Sequence, residues 1–264
     1  MPLNVMITGL PRSGTSYFCQ LLNKIDNFAV INEPEDTRKY LTRDFDKKIV
    51  AFYDLLRNKI KNKEPVYNKT VQDTFISGGD RISWLPDGIR NDDFILATKK
   101  TFQYLFSLNK LFETQQEMKA VVLVRNPCHN ISSWKKSFKH LREAAPGFFH
   151  DPAFSSVFFT DEQMSFVSEI SGQKNVSVKR CLLWVFAARC VINHMDKAVI
   201  IKYEDIVKRP AEVISDAFGL PEEEIPETIK KSEKKPSPLH LSKEDIKNIR
   251  RICKNEANIL GYDI

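Results

Sequence analysis

Near the start of the chain, Gly9-Leu10-Pro11-Arg12-Ser13-Gly14-Thr15-Ser16 has the residue types of an anion-binding loop. It follows an apolar run that reads as a strand. Phe18, Leu21, Leu22 and Ile25 come after it at helical spacing. Glycines let the backbone turn tightly, successive amides then face one concavity, and a helix N-terminus adds partial positive charge. A phosphate or sulfate group fits such a concavity. The Gly-x4-Gly spacing equals that of a nucleoside-triphosphatase P-loop, but Thr15 stands where that loop has lysine. The cation sits inside the loop instead, as Arg12.

A second group of related chemistry begins at Arg125-Asn126-Pro127, directly after the continuous apolar run Ala120–Val124. Asn126 suits a helix cap and Pro127 the first helical position. Ser133 follows Asn126 by seven residues. At about 100° each, these return it to nearly the same helix face, so Arg125 and Ser133 can converge on one anion. The acidic candidate is in Ile31-Asn32-Glu33-Pro34-Glu35-Asp36, where Glu33 directly follows another short strand and Glu35 is expected to face solvent. His129, His140 and His150 are further candidate bases. A P-loop kinase with a degenerate loop is the alternative. It would need lysine on the phosphates and a metal-holding strand end. Ala120–Val124 ends in Arg125, which leaves only the acidic end of Val199–Asp205 for a metal. A third reading is a non-catalytic anion-binding module.

Pro11-Arg12-Ser13-Gly14-Thr15-Ser16 resembles the 5′-phosphosulfate-binding loop of sulfotransferases that use 3′-phosphoadenosine-5′-phosphosulfate (PAPS). Arg125-Asn126-Pro127 with Ser133 resembles their 3′-phosphate motif. Lys202-Tyr203-Glu204-Asp205 with Pro210 and Phe218-Gly219-Leu220 is similar to a further stretch common in these enzymes. The last helix, from Leu241-Ser242 to Leu260-Gly261-Tyr262-Asp263, is similar to that of bacterial members. The resemblance covers most of the chain in order, apart from residues 40–90 and 137–180. It implies a transferase moving a sulfuryl group from PAPS to a hydroxyl or amine of a small molecule or carbohydrate, with 3′,5′-ADP (PAP) as product and no metal. Pro11, Arg12, Ser13, Gly14, Thr15 and Ser16 would bind the phosphosulfate; Arg125 and Ser133 would bind the 3′-phosphate. Lys99-Lys100-Thr101 resembles the family's Lys-Thr segment. Either lysine can serve there, Lys100 being the closer match. Members acting on phenols and steroids continue with a catalytic His, where this chain has Phe102. Protein-tyrosine and some carbohydrate sulfotransferases place a Glu after the second strand, which implies Glu33 as the general base.

The elements that must position these groups are legible as alternation. Leu3–Thr8, Phe28–Ile31, Phe94–Thr98, Ala120–Val124 and Ala198–Lys202 read as strands separated by helical patterns. Continuous apolar strands of this kind predict an α/β fold: a P-loop-type parallel sheet with helices on both faces. One domain is expected over 1–264. Residues 137–180, rich in Phe, Pro, Ser and Gly, are expected to be a helical or loop lid over the acceptor. Residues 221–241 are expected to form a loop near the donor. The final helix should start at Ser242 and bury a stripe of Ile246, Ile249, Cys253, Ala257 and Leu260 before Gly261.

Composition narrows the class. The 264 residues carry 40 Lys+Arg against 34 Asp+Glu, a net +6, with both signs interleaved. That attracts a small anion but lacks the clustering of a nucleic-acid footprint. No apolar stretch reaches the roughly 18 residues of a membrane span, and no secretory signal precedes the loop. The five cysteines are odd in number and scattered, as expected of buried thiols in a cytoplasmic protein. The sequons at Asn68, Asn130 and Asn175 read as chance matches.

Overall fold

Five of the apolar runs pair into one sheet: β1 (Asn4–Gly9), β2 (Phe28–Asn32), β3 (Ile95–Lys99), β4 (Lys119–Val124) and β5 (Val199–Lys202). Each strand expected from sequence is there, shifted by at most one residue at each end. The order across the sheet is β2-β3-β1-β4-β5, and every neighbouring pair is parallel. The computed structural model describes residues 3–34, 39–71, 74–75, 82–115, 117–230 and 238–264.

The helices in chain order are α1 (Thr15–Leu22), α2 (Phe45–Lys61), α3 (Phe102–Phe106), α4 (Leu108–Thr114), α5 (Pro127–Lys135), α6 (Lys139–Arg142), α7 (Pro152–Phe158) and α8 (Asp161–Gly172). They continue as α9 (Val176–Ile192), α10 (Tyr203–Lys208), α11 (Pro210–Phe218), α12 (Glu227–Lys230), α13 (Lys243–Ile252) and α14 (Lys254–Ile259). Side chains alternate across each strand and so feed two cores. Val5, Ile7, Val30, Val121 and Leu123 pack with α1 and α10–α12. Met6, Ala29, Ile31, Val122 and Val124 pack with α2–α9, α13 and α14. Both faces of the sheet are therefore covered, which is why its strands are apolar throughout rather than alternating. Short antiparallel ribbons pair Val66–Asn68 with Ile82–Trp84 and Thr70–Val71 with Thr74–Phe75.

Residues 137–180, expected as a helical or loop lid, are mostly helical. Asp151 caps α7 with Pro152 next to it, Thr160 and Gln163 form a capping box on α8, and Asn175 caps α9. These caps are local signals that outweigh a loop-like composition. The last helix breaks at Cys253 into α13 and α14, and Ile246 is exposed, leaving Ile249, Cys253, Ala257 and Leu260 as its buried stripe. Within 221–241, Glu222–Glu224 forms a 3-10 turn and α12 follows; residues 231–237 lie outside the described residues. Asn68 and Asn130 are fully buried, and Asn175 is committed to its cap and to Glu244 at 2.8 Å. Four cysteines are buried and Cys128 is half-buried. Among the described residues no helix is long and apolar enough to cross a membrane.

Gly9 ends β1 at φ 144, where a Cβ would sit 2.1 Å from the Leu123 carbonyl oxygen of β4. Leu10 N–H donates to that same oxygen at 3.1 Å. Gly9→Ala should lower the free energy of unfolding by about 2–4 kcal/mol, from backbone strain and forced strand separation. Urea unfolding should show a lower midpoint with an unchanged m-value. A stability equal to wild type would mean that the strand ends tolerate the extra atom.

Candidate functional site

The loop after β1 lies between the ends of β3 and β4, where the strand order reverses and α/β sheets open a crevice. Helix α5 grips it. The Pro11 carbonyl accepts from Asn130 Nδ2 at 2.9 Å and from the Trp134 indole N–H at 2.7 Å. Both donors are buried, and together they fill the two lone pairs of that oxygen. Arg12 adopts φ 69, a left-handed conformation that costs a non-glycine residue about 1–2 kcal/mol. Its carbonyl accepts from Arg125 Nη1 at 3.0 Å, and its Nε donates to Ser133 Oγ at 3.2 Å. The two motifs, distant in sequence, thus form one constellation.

Gly14 precedes α1 at φ 85, and a Cβ there would meet the Tyr203 ring at 2.4 Å. The Arg125 guanidinium lies 4.3 Å from the centroid of that same ring. Burial pushes the Arg125 pKa down, while the neighbouring Tyr203 and Glu204 act in the opposite direction. Arginine stays charged in either case. Its Nε is buried and has no partner among the described residues. Likewise no described side chain caps α1, and its first turn holds no acidic residue. The amides of that turn have no acceptor within the helix, so the turn offers donors and positive potential to an anion.

On the other side of the loop, β2 and β3 bring three charges together. Glu33 also has a left-handed backbone, at φ 57, fixed by its N–H donating to the Lys99 carbonyl at 2.9 Å. Its Oε1 is 2.8 Å from Lys99 Nζ and its Oε2 is 2.7 Å from Lys100 Nζ. Lys99 Nζ also lies 3.4 Å from Ser16 Oγ, which ties the cluster to the loop. Burial alone would raise the Glu33 pKa. The Lys99 and Lys100 ammonium groups outweigh it and hold the carboxyl down at about 2.

These groups share one cleft of about 1260 Å³. Its charged wall holds Arg12, Lys69, Lys99, Lys100 and Arg125 against Glu33 and Asp151. Its apolar wall includes Leu41, Phe102, Phe138, Phe148 and Phe154. The chain matches the sulfotransferase family over residues 2–224.

The chain belongs to the sulfotransferase family. Solved structures that share its fold include two sulfotransferases. A sulfotransferase from Alicyclobacillus acidocaldarius has a TM-score of 0.51 at 14% identity, covering 100% of this chain and 98% of that one. Sulfotransferase STF9 from Mycobacterium avium has a TM-score of 0.50 at 11% identity, covering 100% of this chain and 77% of that one. A comparison with curated proteins finds no match.

Within this family member, Pro11, Arg12, Gly14, Thr15, Ser16, Glu33, Lys100 and Arg125 all line the cleft, as does Lys99. Ser133 reaches it through Arg12. Ser13 differs from expectation. Its hydroxyl lies 2.6 Å from the Leu10 carbonyl and 3.0 Å from that of Leu123, and its N–H donates to Leu10 at 3.1 Å. Fully buried, it braces the loop from below. Of His129, His140 and His150, the cleft wall takes only His140, which stacks on Phe138 at 5.7 Å; burial pushes its pKa down. Glu35 and Asp36 lie outside the described residues. Asn130 and Trp134 were missed, although their four-residue spacing puts them on one helical face. The place of Tyr203 beside Gly14 carries no local signal, because it depends on β5 lying next to β4.

The folded pKa of Glu33 lies below the unfolded value of about 4.3, so its contribution to stability is complete at neutral pH. It is lost as pH falls from about 4 towards 2. A carbon-detected NMR titration should find the Glu33 carboxyl at about 2. Lys100→Ala should raise it by about a unit or more. A wild-type midpoint at 4 or above would contradict the ion cluster.

Proposed function

We propose that this sulfotransferase uses PAPS as donor and a hydroxyl or amine of a small molecule or carbohydrate as acceptor, with Glu33 as general base. One observation carries the reading. The loop that bears Arg12 is hydrogen-bonded to Arg125 and Ser133, so two anion sites adjoin and suit a ligand with anionic groups at both ends. The residues present fit such a donor. Arg125 keeps a buried Nε without a partner among the described residues, and the loop passes Tyr203 at a glycine where a Cβ would fill the space.

When bound, PAPS supplies the sulfuryl group, which leaves PAP and joins the acceptor heteroatom. Arg12 and the amides of Gly14, Thr15 and Ser16 would hold the 5′ end, with Ser13 bracing the loop beneath them. Arg125 and Ser133 would hold the 3′-phosphate. Lys99 and Lys100 would compensate the charge that develops on the departing oxygen. Together with Arg12 they supply the positive charge that a metal would otherwise bring. Glu33 would take the acceptor's proton. Held at about 2 it is a weak base. Its basicity rises as either lysine turns from it towards an anion.

Phe138, Phe148 and Phe154 would form the acceptor wall, which makes 137–180 the lid of one catalytic unit spanning 1–264. Of residues 221–241, the stretch around His240 would lie near the donor, as His240 N–H donates to Ser132 Oγ at 2.8 Å, beside Ser133. The free thiols fit a cytoplasmic setting. The kinase alternative loses its metal-holding strand end. Glu204 accepts from Asn126 N–H and the Tyr262 hydroxyl, and Asp205 faces Arg209 at 3.6 Å.

PAP should raise the melting temperature with or without EDTA. Arg125→Ala should weaken PAP by roughly 2 kcal/mol, about 30-fold, and leave adenosine 5′-phosphosulfate nearly unchanged. Stabilisation by Mg·ATP but not by PAP would sink the donor assignment. Glu33→Gln keeps the side-chain shape and should lower kcat on a hydroxyl acceptor by about 10²-fold, with PAP affinity little changed. A variant that retains most of its kcat would move the base to His140, the remaining imidazole on the cleft wall.

A further inference from the structure

The turn after α14 reaches back to the Arg125 end of the cleft. Gly261 turns the chain at φ 73, and its carbonyl accepts from Lys202 Nζ at 2.9 Å. A Cβ at position 261 would lie 2.6 Å from that same Nζ, so the turn is fitted closely to β5. The Lys202 ammonium also sits 5.0 Å from the Tyr262 ring centroid. Tyr262 is buried as a result, and its hydroxyl donates to Glu204 Oε2 at 3.0 Å. The other oxygen of Glu204 accepts from the Asn126 N–H at 3.2 Å. Asn126 stands between Arg125 and α5, and its side chain caps that helix by accepting from Cys128 N–H at 2.9 Å. One carboxylate thus joins the turn to the backbone that carries Arg125.

We propose that Tyr262, acting through Glu204, is a positioning residue for the 3′-phosphate half of the donor site; this rests on the PAPS reading above. A carboxylate beside a phosphate site is a liability, because like charges repel across a short distance. Here both of its oxygens are engaged, one by a phenol and one by an amide. The same amide bond holds Asn126 at the helix cap, so the direction in which Arg125 leaves β4 depends on where Glu204 is held. Without the phenol, Glu204 can turn towards Arg125 and compete with the phosphate for it.

Isothermal titration of PAP and of adenosine 5′-phosphosulfate, which lacks the 3′-phosphate, separates the roles. Phenylalanine keeps the ring under Lys202 and removes only the hydroxyl. Tyr262→Phe should weaken PAP by about 5–10-fold, the size of a lost hydrogen bond, and leave the phosphosulfate within about twofold. In a Glu204→Gln background the same change should have less than about a twofold effect on PAP, since coupled links are not additive. Equal weakening of both ligands would make Tyr262 a general brace and overturn the proposal. Full additivity with Glu204→Gln, or no loss for PAP, would overturn it as well. A wild-type protein that binds the phosphosulfate but gains nothing from the 3′-phosphate would overturn the donor reading itself, and this proposal with it.

Discussion

Two adjacent carbonyls, of Pro11 and Arg12, accept hydrogen bonds from Asn130, Trp134 and Arg125, and the charges of the cleft are arranged around that joint. Each bond is worth only about 1 kcal/mol net. Their value is geometric. They make the loop after β1, Arg125 and α5 a single body, so the cations of both motifs keep fixed separations. The joint is possible because β1 and β4 are sheet neighbours and Gly9 lets the backbone pass close to Leu123.

A cleft that gathers Arg12, Lys99, Lys100 and Arg125 would repel itself without a counter-charge. Glu33 supplies one, shared between the two lysines and shielded enough from water for the attraction to matter. Arg12 and Glu33 also share a backbone property: both are non-glycine residues in the left-handed region. Such conformations persist only where surrounding contacts over-determine them, and they concentrate at functional sites. Here the contacts are visible, α5 on one side and the Lys99 carbonyl on the other.

Helix α5 is held at both ends by later parts of the chain. Near its start, Asn126 is tied through Glu204 to Tyr262. At its end, Lys135 pairs with Asp245 at 2.6 Å. Burial would raise the Asp245 pKa, but bonds from Lys135, Ser242 and Ser177 hold it well below the usual carboxylate range. The same carboxylate links α13 to α5 and α9, so α13 helps to set the height of α5 over the sheet.

The sequence by itself determined what short-range chemistry decides: the five strands, the glycine-bearing turn, the Asn126 cap and the Ser242 start of α13. Apolar continuity, cap residues and glycine act within a few residues and need no partner elsewhere. Family motifs further marked both halves of the cleft, and the structure brings Arg12, Arg125 and Ser133 together. Tertiary structure decided the rest. Ser13 turns inward because Leu123 lies beneath it on a neighbouring strand. Lys99 and Lys100, of which the motif favours the second, both reach Glu33. Tyr203 supports Arg125 only because β5 lies next to β4. The phenylalanines of 137–180 divide between cleft wall and core according to what packs behind them, with Phe138 exposed and Phe149 buried. These outcomes depend on contacts between residues far apart in the chain, which local periodicity and propensity do not encode.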